Sequence, residues 1–188
     1  MEKNEIFDTL NDVIIRLNDL GVEYMVTGSV AMSSYVTARA TMDIDFLIGL
    51  DHSDTQRFEK RFAGDYYVSL ESIREAKERH SMFNVLNFTT GIKVDFITRK
   101  PNAFEDAKFR RRRRSKIGET EFWVISREDL ILSKLWWAKD SHSERQFEDV
   151  RRLIESGADA SMIDSEIEAQ ALGGVWRAYN EWMIREQK

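Results

Sequence analysis

The chain has 188 residues, 42% hydrophobic, 11% aromatic and 32% charged, with a formal net charge of −5; this is enough for one cored domain with a helical extension, and the acidic balance excludes a nucleic-acid binder held by overall charge. Cysteine is absent, which excludes a disulfide framework and a thiolate metal site. No apolar leader opens the sequence and no run approaches the ~20 apolar residues of a membrane span, so we expect a soluble, cytoplasmic protein with no membrane partner.

Taken in chain order, Ile6, Leu10, Val13, Ile14 and Leu17 recur at helical spacing, with Gly21 as a stop. Residues 23–27 read as a strand that ends at Gly28-Ser29, and 29–37 as a short helix. Residues 42–48 alternate, with Met42, Ile44, Phe46 and Ile48 on one face and Asp43 and Asp45 on the other. A helix over 53–62 with Ser53 as its cap, a strand over 66–70 and a helix over 71–79 are expected next. Residues 82–88 and 92–98 read as strands joined around Thr89-Thr90-Gly91. Pro101 opens a short helix, and 109–117 with 121–125 form a second hairpin around Gly118. From Ser126, whose Ser-Arg-Glu-Asp string has capping-box form, the pattern is helical over 129–139, 143–156, 160–170 and 174–186. The expected architecture is α/β (α+β): a small mixed sheet flanked by helices over 1–125, with 126–188 a helical C-terminal extension packed on that core.

One constellation carries chemistry. Residues two apart on a strand share a face, so Asp43 and Asp45 stand side by side. Two carboxylates that close repel each other unless a cation neutralises them, and hard oxygen ligands suit Mg²⁺ or Mn²⁺. Asp95 lies between Val94 and Phe96 in a second strand-like run and would complete a three-acid cluster if the two strands are neighbours. Such a cluster can activate a hydroxyl and hold a triphosphate. Gly28 lets a phosphate approach the backbone, and Ser29 offers a hydroxyl there.

The string from Thr27 to Gly49, with the later Asp95, resembles the signature of the DNA polymerase β-like nucleotidyltransferase superfamily: an apolar strand, Gly-Ser, then Asp-x-Asp, then a lone acid in an apolar strand. The run Arg39-x-Thr41-x-Asp43-x-Asp45-Phe46 and the later Ser126–Leu135 and Arg145–Asp149 look like the abortive-infection toxin type of that superfamily. The resemblance implies a nucleotidyltransferase fold and transfer of a nucleoside monophosphate from an NTP to a hydroxyl. Asp43, Asp45 and Asp95 would be the metal-binding catalytic acids, and Gly28, Ser29, Arg39, Thr41, Lys134 and Asp149 the nucleotide-binding residues. A cognate antitoxin is an implied partner.

Each feature also has a plainer reading. Asp43 and Asp45 could line the solvated face of an edge strand, and Ser29 could be a simple helix cap. Arg39 and Thr41 could brace the acids or lie in an ordinary loop. Arg145 and Asp149 could form a helix salt bridge. Arg110–Arg114 could contact RNA or triphosphate, pair with acids, or meet a partner protein; on a strand, Arg110, Arg112 and Arg114 would share one side. Trp123, Trp136, Trp137, Trp176 and Trp182 are expected to pack the helical part, with one of Trp136 and Trp137 half exposed. His52, His80 and His142 have no metal-ligand spacing. A nucleotide-sensing or antitoxin-like module of the same fold is the alternative to an enzyme.

Overall fold

The computed structural model describes residues 3–37 and 41–186. It divides into two compact units, one of residues 1–34 and 38–125 and one of 35–37 and 126–188.

The first unit is built on a mixed sheet of seven strands in the order β3-β4-β5-β2-β1-β7-β6. Its elements are α1 (Lys3–Leu20), β1 (Glu23–Thr27), α2 (Gly28–Met32), β2 (Asp43–Gly49), α3 (Thr55–Phe62), β3 (Tyr66–Tyr67), α4 (Leu70–Arg79), β4 (Met82–Asn87), β5 (Lys93–Thr98), α5 (Ala103–Arg111), β6 (Arg113–Ile117) and β7 (Thr120–Val124). The α/β architecture expected from the alternating strand and helix patterns is present. β2 lies at the centre, antiparallel to β1 and parallel to β5. Its alternation therefore sends Ile44, Phe46 and Ile48 to one face, where α1, α3 and α4 pack. The core there is aromatic. Phe96 of β5 stands 5.6 Å from Phe46 and 5.0 Å from Phe58, and Phe58 stacks on Phe62 at 4.4 Å. Each such ring contributes roughly 2–3 kcal/mol on burial. This packing fixes β2 and β5, and so fixes whatever side chains they present on the other face.

Several boundaries differ from the sequence pattern. The helix after Gly28 ends at Met32 rather than running to 37. Asp51, not Ser53, caps the turn leading into α3; its side chain and that of Asp54 form a reciprocal capping box. β3 is two residues long, because Ser69 already caps α4 by accepting from the Ser72 amide at 3.2 Å.

The second unit is helical: α6 (Arg127–Ala138), α7 (Glu144–Glu155), α8 (Ala160–Ala169) and α9 (Gly173–Glu186). Ser126 caps α6, its hydroxyl oxygen accepting from the Asp129 amide at 3.1 Å, and Asp159 caps α8 through the Ser161 and Met162 amides. Phe147 of α7 meets Tyr179 and Trp182 of α9 at ring distances of 5.8 and 5.9 Å. Trp123 belongs to the sheet unit instead, on β7. Trp136 and Trp137 are both half exposed, at 50% and 54%. Among the described residues no helix is long and apolar enough to cross a membrane.

Candidate active site

The face of β2 opposite the aromatic core carries Asp43 and Asp45. The parallel register sets Asp45 directly beside Asp95 and Asp43 beside Lys93, so all four side chains leave one face of the sheet. Asp95, distant in the chain, is thereby brought beside the Asp43 and Asp45 pair on an adjacent strand.

The turn after β1 reaches the same place. Thr27 pairs with Asp45 across β1 and β2, and Gly28 follows at φ +62°, a conformation that glycine adopts at little cost. A Cβ on Gly28 would lie 1.9 Å from Asp45 Oδ2 and 2.7 Å from its Cγ. The Asp45 carboxylate thus packs against bare backbone. Ser29 is buried at the start of α2. With only five residues, α2 develops little macrodipole, so close approach to the Gly28 backbone is the turn's chief asset for phosphate.

The partners of the acids differ. Asp43 Oδ1 accepts from the Thr41 hydroxyl at 2.5 Å, so Thr41 braces this carboxylate. Asp95 is buried; its Oδ2 accepts from Lys93 Nζ at 2.6 Å, while its Oδ1 has no hydrogen-bond partner. The bond that Lys93 donates to Asp95, with further attraction from Asp43 and Asp45, holds the Lys93 ammonium's pKa above its ordinary value. The motif string Lys93-Val94-Asp95-Phe96-Ile97 contains Lys93 without giving it a role, although its place two residues before Asp95 puts it on that residue's strand face. Arg39 lies outside the described residues.

The donor set suits a hard divalent cation: oxygen ligands only, a spare buried oxygen on Asp95, and a glycine that leaves room for Asp45. Among the described residues, no group of three or more His, Cys, Asp or Glu is gathered closely enough to hold an ion as it stands. The Lys93 ammonium is a cation that Asp95 has at hand.

In the helical unit, Lys134 of α6 donates to Asp149 Oδ2 of α7 at 2.7 Å, and both side chains are almost wholly buried. Asp149 therefore pairs with Lys134 rather than with Arg145 at the preceding helical turn. The arginine run is divided between two elements: Arg110 and Arg111 end α5, Arg112 is its C-cap, and Arg113 and Arg114 begin β6. Arg112 and Arg114 flank Trp123, their guanidinium carbons 4.6 and 4.1 Å from the ring centre. A cleft of about 410 Å³ lies beside Arg112 and Glu23. Glu23 is at the end of β1 remote from Gly28, and it takes up Arg99 and Arg112 in ion pairs.

A sheet of this order, with a Gly-Ser turn set against an Asp-x-Asp strand, defines a nucleotidyltransferase fold. The family model for the nucleotidyl transferase AbiEii toxin of type IV toxin–antitoxin systems matches residues 14–181, and the chain belongs to that family of nucleotidyltransferases. Among solved structures, the antibiotic-resistance factor ANT(2'')-Ia is similar with a TM-score of 0.58 at 12% identity, covering 100% of this chain and 98% of that one. An antigenic nucleotidyltransferase-like protein from Paracoccidioides brasiliensis has a TM-score of 0.54 at 15% identity, covering 92% and 91%. The lincosamide antibiotic adenylyltransferase LnuA, bound to lincomycin, has 0.53 at 15% identity, covering 81% and 96%. Likeness at such identities is one of fold. No curated protein matches in sequence.

Proposed function

We propose that the protein is a Mg²⁺- or Mn²⁺-dependent nucleotidyltransferase that moves a nucleoside monophosphate from an NTP to a hydroxyl, with RNA, such as a tRNA end, as the acceptor. The observation that carries this reading is the pairing of Asp45 with Asp95 in register, with Asp43 on the same face and Gly28 against Asp45. A bound divalent ion supplies charge neutralisation of the triphosphate and a lowered pKa of the acceptor hydroxyl. Asp43, Asp45 and Asp95 are the residues that would hold it.

In this reading the acceptor oxygen attacks the α-phosphorus in line, the bond to the bridging oxygen breaks, and pyrophosphate leaves. Asp95 takes the acceptor proton. The Gly28-Ser29 turn holds phosphate oxygens, and Thr41 keeps Asp43 oriented. Lys134 and Asp149 are assigned to nucleotide binding as a pair, with Asp149 fixing the direction of the Lys134 ammonium. Arg113 and Arg114, exposed on the edge strand β6, suit the phosphates of RNA, and such contacts weaken with salt. Membership in a toxin family supports a toxin role restrained by a cognate antitoxin in the cytoplasm.

The test is label transfer from each NTP to total RNA with Mg²⁺. Asp43→Asn is expected to lower transfer by at least about a hundredfold, the scale seen when one charge-stabilising group is removed, with an unchanged circular dichroism spectrum. Undiminished turnover in that variant would reject the assignment. Nucleotide binding with no transfer to any acceptor would point to a sensor instead.

A further inference from the structure

Four charged side chains share the open face of β2 and β5: Asp43, Asp45, Asp95 and Lys93. Three of them are anionic. Asp95 is only 4% exposed and keeps one oxygen without a hydrogen-bond partner, and a buried carboxylate is costly without a cation beside it. Lys93 meets that need at 2.6 Å, yet 45% of its own side chain is exposed. Its flexible four-carbon stem brings a compact point charge to Asp95 from the solvent side. Lys134, by contrast, is sealed in beside Asp149, with exposures of 6% and 2%. Lys93 is therefore placed to leave its partner without unpacking anything.

We propose that Lys93 is a tethered cation that holds the place of a divalent metal ion at Asp95 and withdraws when the ion binds. The inference rests on the transfer reading only in that the three acids take a metal. Its ammonium keeps the carboxylates together before the ion arrives, and it competes with the ion for Asp95 Oδ2. Free ion consequently binds weakly. Once displaced, the ammonium is free to meet an anionic triphosphate, which favours loading of ion and nucleotide together.

The experiment is Mn²⁺ titration of the full chain followed by electron paramagnetic resonance, with wild type, Lys93→Met, Lys93→Arg and Asp95→Asn. Lys93→Met is expected to bind Mn²⁺ on the order of tenfold more tightly, the factor that corresponds to one charge-assisted hydrogen bond no longer broken. Lys93→Arg should return affinity toward wild type, and Asp95→Asn should lose it. A second measurement uses the wild type alone. Acylation of the Lys93 amine, followed by peptide mass mapping, should speed up severalfold when Mn²⁺ is added. Equal or weaker Mn²⁺ binding by Lys93→Met, with Asp95→Asn still defective, overturns the tethered cation and leaves the metal reading standing. If Lys93→Met does not fold, an acylation rate indifferent to Mn²⁺ overturns it equally. No Mn²⁺ binding by any of the four proteins overturns both readings.

Discussion

Two lysine–aspartate pairs of nearly equal length sit in the two units, and they are different devices. Lys93 and Asp95 are 2.6 Å apart on the sheet, with side chains 45% and 6% exposed; Lys134 and Asp149 are 2.7 Å apart between helices, at 6% and 2%. A pair open on one side can trade its cation for another. A sealed pair cannot, because removing either member strands a charge in the core. The largest expected effect follows directly. Lys134→Met should cost about 3–5 kcal/mol in denaturant unfolding, whereas Lys93→Met should cost less: it also leaves a buried carboxylate, but the half-exposed stem gives up its place to water that can solvate Asp95. Equal losses would erase the contrast. The double variant Lys134→Met/Asp149→Leu sharpens it: removing both charges should restore most of the stability. Restored folding with lost nucleotide binding would then assign this pair to the substrate rather than to the core.

A smaller effect is expected at the turn that meets the open pair's neighbour. Gly28→Ala forces an L side chain into the left-handed region, at about 1–2 kcal/mol, and its Cβ would have to displace the Asp45 carboxylate, which lies 1.9 Å away. Transfer activity should fall further than stability alone accounts for, because the acid itself moves. Full activity in a folded Gly28→Ala variant would show that the position of Asp45 is not critical.

The sequence made some of this legible and hid the rest for physical reasons. Period-two alternation placed Asp43 and Asp45 on one face, since that rule needs only the local chain. The neighbourhood of Asp45 and Asp95 is a register between strands some fifty residues apart, and no local pattern encodes it; only the family-like order of motifs suggested it. Lys93 opens the motif string around Asp95 and was within reach of the same alternation rule that grouped the aspartates, but metal-ligand chemistry singles out the acids and passes over a lysine. The strand expectation holds for Arg113 and Arg114, which begin β6, but not for Arg110 and Arg111, which end α5, because repeated charge has no period. Asn102 caps a helix there, accepting from the Glu105 amide at 2.9 Å, and arginine continues helices well. Trp136 and Trp137 stay half exposed near the end of α6, their rings edge-on to each other at 5.5 Å; helical spacing does not foretell this, since Leu132, one turn before Trp136, is buried.

The smallest effect tests whether the helical unit's sealed character extends beyond its ion pair. Tyr179 is 4% exposed in that unit, and burial, with Glu155 adding to it, pushes its hydroxyl up to about 12. An unfolded tyrosine titrates near 10. The folded state therefore keeps its proton longer than the unfolded one. This contributes stability that is fully present below about pH 10 and lost as pH rises toward 12. Between pH 9 and 10.5 the expected loss is under about 1 kcal/mol. Tyr179→Phe has no proton to lose there and should flatten that part of the stability profile, measured by urea unfolding at each pH. Tyr66, buried in the sheet unit and raised by its burial and by Asp12, acts in the same direction. Tyr179→Phe should therefore remove part of the alkaline slope and Tyr66→Phe another part. A slope untouched by Tyr179→Phe would mean that water reaches the interior of the helical unit, and the contrast between the two lysine pairs would then have lost its basis.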